Sequence, residues 1–220
     1  MWIAALATAI GMWGLVISIS ALVATYIARL APERPFYPAI ASQVLYGLIS
    51  LLLIHLTGGV WTYSILSGAP PYKLGLAASI SLPLSLFMSS LAYRSCYYES
   101  PHLPKGMAER VILLLLIAPI GEEMLFRGLL EGYLLLSLGG NPTSLVIAIS
   151  LPAVLFAAIH YVPYREAPPC YLRWVLTTAL TAGLVAGFFR VYADSLLPAV
   201  LIHSCFNLGG MVASRGGRYI

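Results

Sequence analysis

Charge is what this sequence has least of. Asp, Glu, Lys and Arg make up only 9% of its 220 residues, against about 25% in an ordinary soluble domain. That shortage excludes a chain that covers a water-facing surface with ionised side chains. The basic residues are scattered between apolar stretches, with no basic run interleaved with aromatics. The net charge of +4 is therefore no nucleic-acid signal. Cysteine is scarce as well. Cys96, Cys170 and Cys205 form no CxxC pair and no disulfide framework, and they read as small buried apolar residues. Neither a GxSxG nucleophile elbow nor an HExxH helix is present.

What the chain does have is apolar length. Hydrophobic residues are 60% of it and its mean hydropathy is +0.89. A spanning helix needs roughly 20 mostly apolar residues. Seven stretches qualify, at about 2–28, 38–58, 74–97, 107–137, 143–161, 171–191 and 195–213. The breaks between them carry turn chemistry: Gly58-Gly59, Pro70-Pro71, Gly139-Gly140-Asn141-Pro142 and Pro168-Pro169. The expected fold class is all-α: a polytopic integral membrane protein of about seven transmembrane helices with a polar intramembrane cavity. It forms a single membrane domain over 1–220, with accessory spans in 1–106 and a catalytic core in 107–213. No charge precedes Arg29 and the first apolar run is long enough to span, so it reads as a retained helix rather than a secretory signal.

Lys and Arg placement orients these spans. With seven spans, one side receives Arg29, Arg34, Arg94, Lys105, Arg110, Arg165, Arg173, Arg215 and Arg218, and the other only Lys73 and Arg190. Arg127 lies inside a span. The positive-inside rule then puts the N-terminus outside and the C-terminus in the cytoplasm.

An ionisable group at membrane depth is costly and is a functional hypothesis by default. The fourth span holds Glu122, Glu123, Arg127 and Glu131 within ten residues. At about 100° per residue, positions four apart nearly stack. Glu123, Arg127 and Glu131 thus share a stripe on which Arg127 can bridge two carboxylates. Glu122 lies about 100° around from Glu123 and has no partner on its own helix, so it faces something else and suits a general base. The fifth span ends with Phe156 and His160. The seventh carries His203 and Asn207 on one face. His55, at a span end, and His102, in a loop, are given no role.

Each of these residues has a plainer explanation. A lone histidine or an Asn in a span is often interhelical glue, a Glu–Arg pair is often structural, and Phe156 is packing in most settings. A shared cavity explains all of them together. Within it Glu122 can take a proton from water, and His160 can share that water or pass the proton to a leaving amine. His203 and Asn207 can donate to an oxyanion. Ser204 is adjacent to His203 and points elsewhere, so a serine acyl-enzyme is not expected. Glu and two His are also the ligand types of a catalytic zinc. Without HExxH, and with Asn207 a poor ligand, no cofactor is expected and zinc stays the lesser alternative.

Three motifs stand in order on separate spans: EExxxR as Glu122, Glu123 and Arg127; FxxxH as Phe156 and His160; HxxxN as His203 and Asn207. The ordered trio resembles the CAAX-processing and bacteriocin-processing (Abi) family of intramembrane proteases. The resemblance covers about residues 107–213. It implies a glutamate-dependent endopeptidase, including enzymes of the CAAX prenyl endopeptidase type. In it Glu122 and His160 activate water, and His203 and Asn207 bind water and the oxyanion. Glu123, Arg127 and Phe156 support them. The implied partners are a peptide or lipidated-protein substrate and membrane lipid. Two other classes compete: a non-enzymatic immunity or scaffold protein, and a proton or ion carrier, for which intramembrane Glu, His and Arg are also expected. Against the carrier, no paired broken helices of the transporter kind are visible. Oligomeric state is not legible.

Overall fold

A computed structural model of the chain describes residues 2–96, 98, 103–104 and 106–216, and side chains as far as Ser214. His102, Lys105 and Arg218 lie outside the described residues, as does the side chain of Arg215. The described residues contain helices and no strand. In chain order they are α1 (Trp2–Leu30), α2 (Phe36–Thr57), α3 (Pro71–Ser95), α4 (Met107–Ile112), α5 (Ala118–Glu123), α6 (Gly132–Leu138), α7 (Pro142–Ile159), α8 (Tyr161–Tyr164), α9 (Pro169–Ala193) and α10 (Leu197–Gly216). Two π-helical segments, Leu113–Ile117 and Met124–Glu131, join α4, α5 and α6 into one continuous rod over 107–138. The molecule is thus about seven helical rods, and their ends lie within a few residues of those read from hydropathy. Six of the rods are long and apolar enough to cross a membrane. The remaining one is the 107–138 rod, which carries the buried charges. The chain is an integral membrane protein.

The rods start and stop where the sequence supplies the chemistry. Pro71 and Pro169 sit at the first position of α3 and α9, where a missing N–H costs nothing. Asn141 caps α7 by accepting the Ser144 N–H at 2.9 Å. The turn before it runs through Gly139 at φ +73°, a conformation glycine adopts without strain.

In lipid, helices gain little from burying apolar surface against one another, so close packing and interhelical hydrogen bonds hold them together. The buried and exposed faces follow this rule. α2 buries only Ser50 and Ile54, while Leu48, Leu52 and Leu56 face outward. α3 buries Ala77, Ser81, Ser85 and Ser89, small residues every four positions, and packs along α10 on that stripe. At the crossing, a Cβ on Gly209 would lie 2.5 Å from Ser85 Oγ. Ser85 donates to the Cys205 carbonyl at 3.0 Å.

Contacts at the rod ends tie distant segments together. At one end the Lys73 ammonium donates to the Tyr192 carbonyl at 2.7 Å and stands over the Tyr192 ring. Buried Arg190 donates to the Tyr63 carbonyl at 2.7 Å. At the other end, Cys96 and Cys170 form a disulfide with Cα atoms 6.1 Å apart. This corrects the reading of these cysteines as unpaired apolar residues. Their 74-residue separation hides the pairing, because only the helix packing brings the end of α3 to the start of α9. Cys205 is free.

Candidate active site

The site is built on the one rod that is not uniformly α-helical. Pro119 has no N–H to give. Counting i→i+5 from Leu114 and i→i+4 from Leu115, both intrahelical bonds would end on Pro119. α10 answers both carbonyls. Asn207 Nδ2 donates to Leu114 O at 2.7 Å. The Ser204 hydroxyl lies 3.0 Å from Leu115 O and 2.9 Å from Val200 O of its own helix. The wide winding over Leu113–Ile117 and these two side chains together satisfy a backbone that would otherwise be stranded in the membrane. Asn207 therefore spends one amide proton on structure and keeps one for the cavity. Ser204, which the sequence reading left without a role, is a backbone donor.

The charged residues form a connected chain. Arg127 Nη1 lies 3.0 and 3.2 Å from the two oxygens of Glu123. His203 Nδ1 lies 2.8 Å from Glu123 Oε1. The other ring nitrogen, Nε2, lies 3.8 Å from Glu122 Oε2. Glu122 Oε1 accepts from Gln43 Nε2 of α2 at 2.7 Å, while Oε2 is buried without a hydrogen-bond partner. All four charged or titratable members (Arg127, Glu123, His203 and Glu122) are buried.

The expectation that Arg127 would bridge two carboxylates is half met. Glu123 takes the ion pair; both oxygens of Glu131, and Arg127 Nε and Nη2, are buried without hydrogen-bond partners. Met124–Glu131 winds as a π-helix. A wider turn moves the residue four positions on to the other side of the stripe that α-helical spacing predicts. The space beside both side chains comes from α9. A Cβ on Gly183 would stand 2.9 Å from Arg127 Nη2, and one on Gly187 would stand 2.8 Å from Glu131 Oε2. The Gly183–Gly187 pair cradles charged side chains.

Phe156 is more than filler. Its ring meets Phe126, His160 and His203 edge-on at centroid distances of 5.2, 4.7 and 5.3 Å. The Arg127 guanidinium sits 4.9 Å from its centre, a cation–π contact strengthened by the absence of water. His160 closes α7. Its Nδ1 lies 2.8 Å from the Phe156 carbonyl. A carbonyl only accepts, so Nδ1 carries the proton and Nε2 of the neutral ring keeps its lone pair. A cavity of about 240 Å³ is lined by Glu122, His160, His203, Asn207 and Phe156, with Tyr93, Tyr164, Tyr171 and Trp174 also on its walls. The structure thus brings together the residues singled out from sequence. Gln43 was missed, although an amide in an otherwise apolar span was the available signal.

Residues 105–209 match the family described as type II CAAX prenyl endopeptidase Rce1-like. This segment is similar to the Rce1-like family. All seven residues of the three motifs fall inside the Rce1-like segment, whereas Gln43 and Cys96 lie outside it. No curated protein and no solved structure matches the chain. Among the described residues, no three His, Cys, Asp or Glu side chains converge in a way that would hold a metal ion. Glu123, which already engages Arg127, also occupies His203 Nδ1.

Arg127 gives the sharpest structural test. Removing it leaves Glu123 buried without its cation, and breaking a buried pair this way costs about 3–5 kcal/mol. Arg127→Ala is expected to lower the denaturation midpoint in detergent and the yield of folded protein. A stable but inactive Arg127→Ala protein would instead move Arg127 into the reacting group.

Proposed function

We propose that this protein is an intramembrane endopeptidase of the CAAX type, cutting near the C-terminus of lipidated proteins with a water activated by Glu122 and His160. One observation carries the proposal. Glu122 Oε2 is buried, makes no hydrogen bond, and belongs to a residue that lines the same cavity as His160, His203 and Asn207. The Rce1-like match over 105–209 supports the reaction class and the prenylated substrate.

In this reading water enters between Glu122 and His160. Glu122 Oε2 takes its proton as the oxygen attacks the scissile carbonyl carbon, and His160 Nε2 accepts from the same water and orients it. The tetrahedral oxyanion receives the remaining Asn207 N–H. His203 Nε2 also donates when its ring is doubly protonated, since Nδ1 already serves Glu123. The C–N bond then breaks, and the proton held by Glu122 passes to the leaving amine. Glu123 and Arg127 hold His203 and take no part in bond-making.

Wild type and the Glu122→Ala and His160→Ala variants, purified in detergent, would be given a quenched peptide library that includes prenylated C-terminal peptides. Wild-type cleavage should be unaffected by a strong chelator. Each folded variant should lose at least about 10²-fold, the usual scale of a lost general base. Near-wild-type activity in either variant would remove that residue from the mechanism. Loss with chelator would mean zinc chemistry. Cleavage by neither protein would favour the scaffold and carrier readings.

We further infer an N-terminus outside and a C-terminus in the cytoplasm, which the nine-to-two split of Lys and Arg supports. The opposite orientation is favoured by one observation. The Cys96–Cys170 disulfide sits at the positively charged end, and disulfides persist mainly in oxidising compartments. Reporter fusions at the two termini decide: a cytoplasm-active reporter should work at the C-terminus only, and activity at the N-terminus alone would reverse the orientation.

A further inference from the structure

We infer that Gln43 is a positioning residue for Glu122, so that the reacting unit reaches into α2, outside the Rce1-like segment. The consequence for turnover rests on the peptidase reading above; the contact itself rests on geometry alone.

Gln43 Nε2 donates to Glu122 Oε1 at 2.7 Å, the distance of a charge-assisted bond. Gln43 Oε1 is buried with no hydrogen-bond partner, so the described side-chain contact of this amide is with Glu122. The two backbones leave Gln43 little freedom to withdraw. A Cβ on Gly121, the residue before Glu122, would fall 2.2 Å from the Gln43 carbonyl oxygen and 2.9 Å from its carbon. One turn along α2, a Cβ on Gly47 would stand in ordinary van der Waals contact with Gly121 Cα, at 3.8 Å. α2 and α5 are therefore locked at backbone contact on the turn that carries both side chains.

A carboxylate can rotate about its last bond and present either oxygen. Holding Oε1 with a fixed donor leaves Oε2 turned toward His203 and the cavity. That arrangement fixes which oxygen meets water before substrate arrives, the kind of preorganisation that a site placed on rigid elements makes possible. α2 is mostly apolar and its buried residues are Ser50 and Ile54; part-buried Gln43 places its amide nitrogen on Glu122.

The test substitutes Gln43→Met, which keeps the length and removes the donor. Infrared difference spectra in detergent assign the Glu122 carboxylate band as the one missing from Glu122→Gln. In folded Gln43→Met that band should shift from its wild-type position. Peptide cleavage should lose about tenfold in kcat with KM unchanged, the scale of one charge-assisted hydrogen bond. If Gln43→Met does not fold, Gln43→Leu also lacks the donor and should show the same band shift and loss of kcat. A band at the wild-type position, or wild-type kcat, in a folded variant overturns the inference. So does a loss of activity confined to KM. If wild type cleaves no peptide, the peptidase reading fails, and the infrared comparison still decides whether Gln43 holds Glu122.

Discussion

A guanidinium with no exposure, inside a helix bundle made for lipid, is the constraint around which this molecule is arranged. Arg127 has no exposure to bulk solvent, so protein must meet its charge and its face. Glu123 meets its charge, Phe156 meets its face, and the missing side chain of Gly183 gives it room. Each of those partners then fixes something else. Glu123 fixes the ring of His203. Phe156 lies edge-on to His203 and His160 and offers its carbonyl to His160. The placement of two histidines from two different helices thus follows from satisfying one buried cation. Such a network is costly to form and, once complete, admits few alternatives.

The second constraint is backbone. Pro119 takes an N–H away from the rod that carries the carboxylates, and a membrane does not forgive stranded carbonyls. The rod widens, and α10 supplies Ser204 and Asn207. This ties the helix bearing His203 to the helix bearing Glu122 at a second place, a turn from the ion-pair network. Asn207 joins both roles, with one amide proton on Leu114 and another available to the cavity.

Much of this was legible in the amino-acid order. The seven rods follow from apolar length, and their ends follow from Pro-Pro and Gly-Gly-Asn-Pro. Glu122 separates from Glu123 by helix angle alone. Four features were not legible. Glu131 makes no hydrogen bond to Arg127 although α-helical spacing stacks them, and nothing in Met124–Glu131 marks the π-helical winding. The Cys96–Cys170 bond depends on which helix ends meet. The role of Glu123 was underestimated because the stripe argument stops at its own helix, whereas the histidine it orients arrives eighty positions later. Gln43 was visible as a polar residue among apolar ones, but its partner was not.

The central claim is that Glu122 and His160 act on one water. Residues that act as a unit are strongly non-additive when removed together. The most direct measurement is a double-mutant cycle on kcat with Glu122→Gln and His160→Gln, singly and combined, on a cleaved peptide. The double variant should be about as slow as the slower single variant. Losses that multiply, with the double variant slower by the product of the two, would show that the two residues serve separate steps and would contradict it.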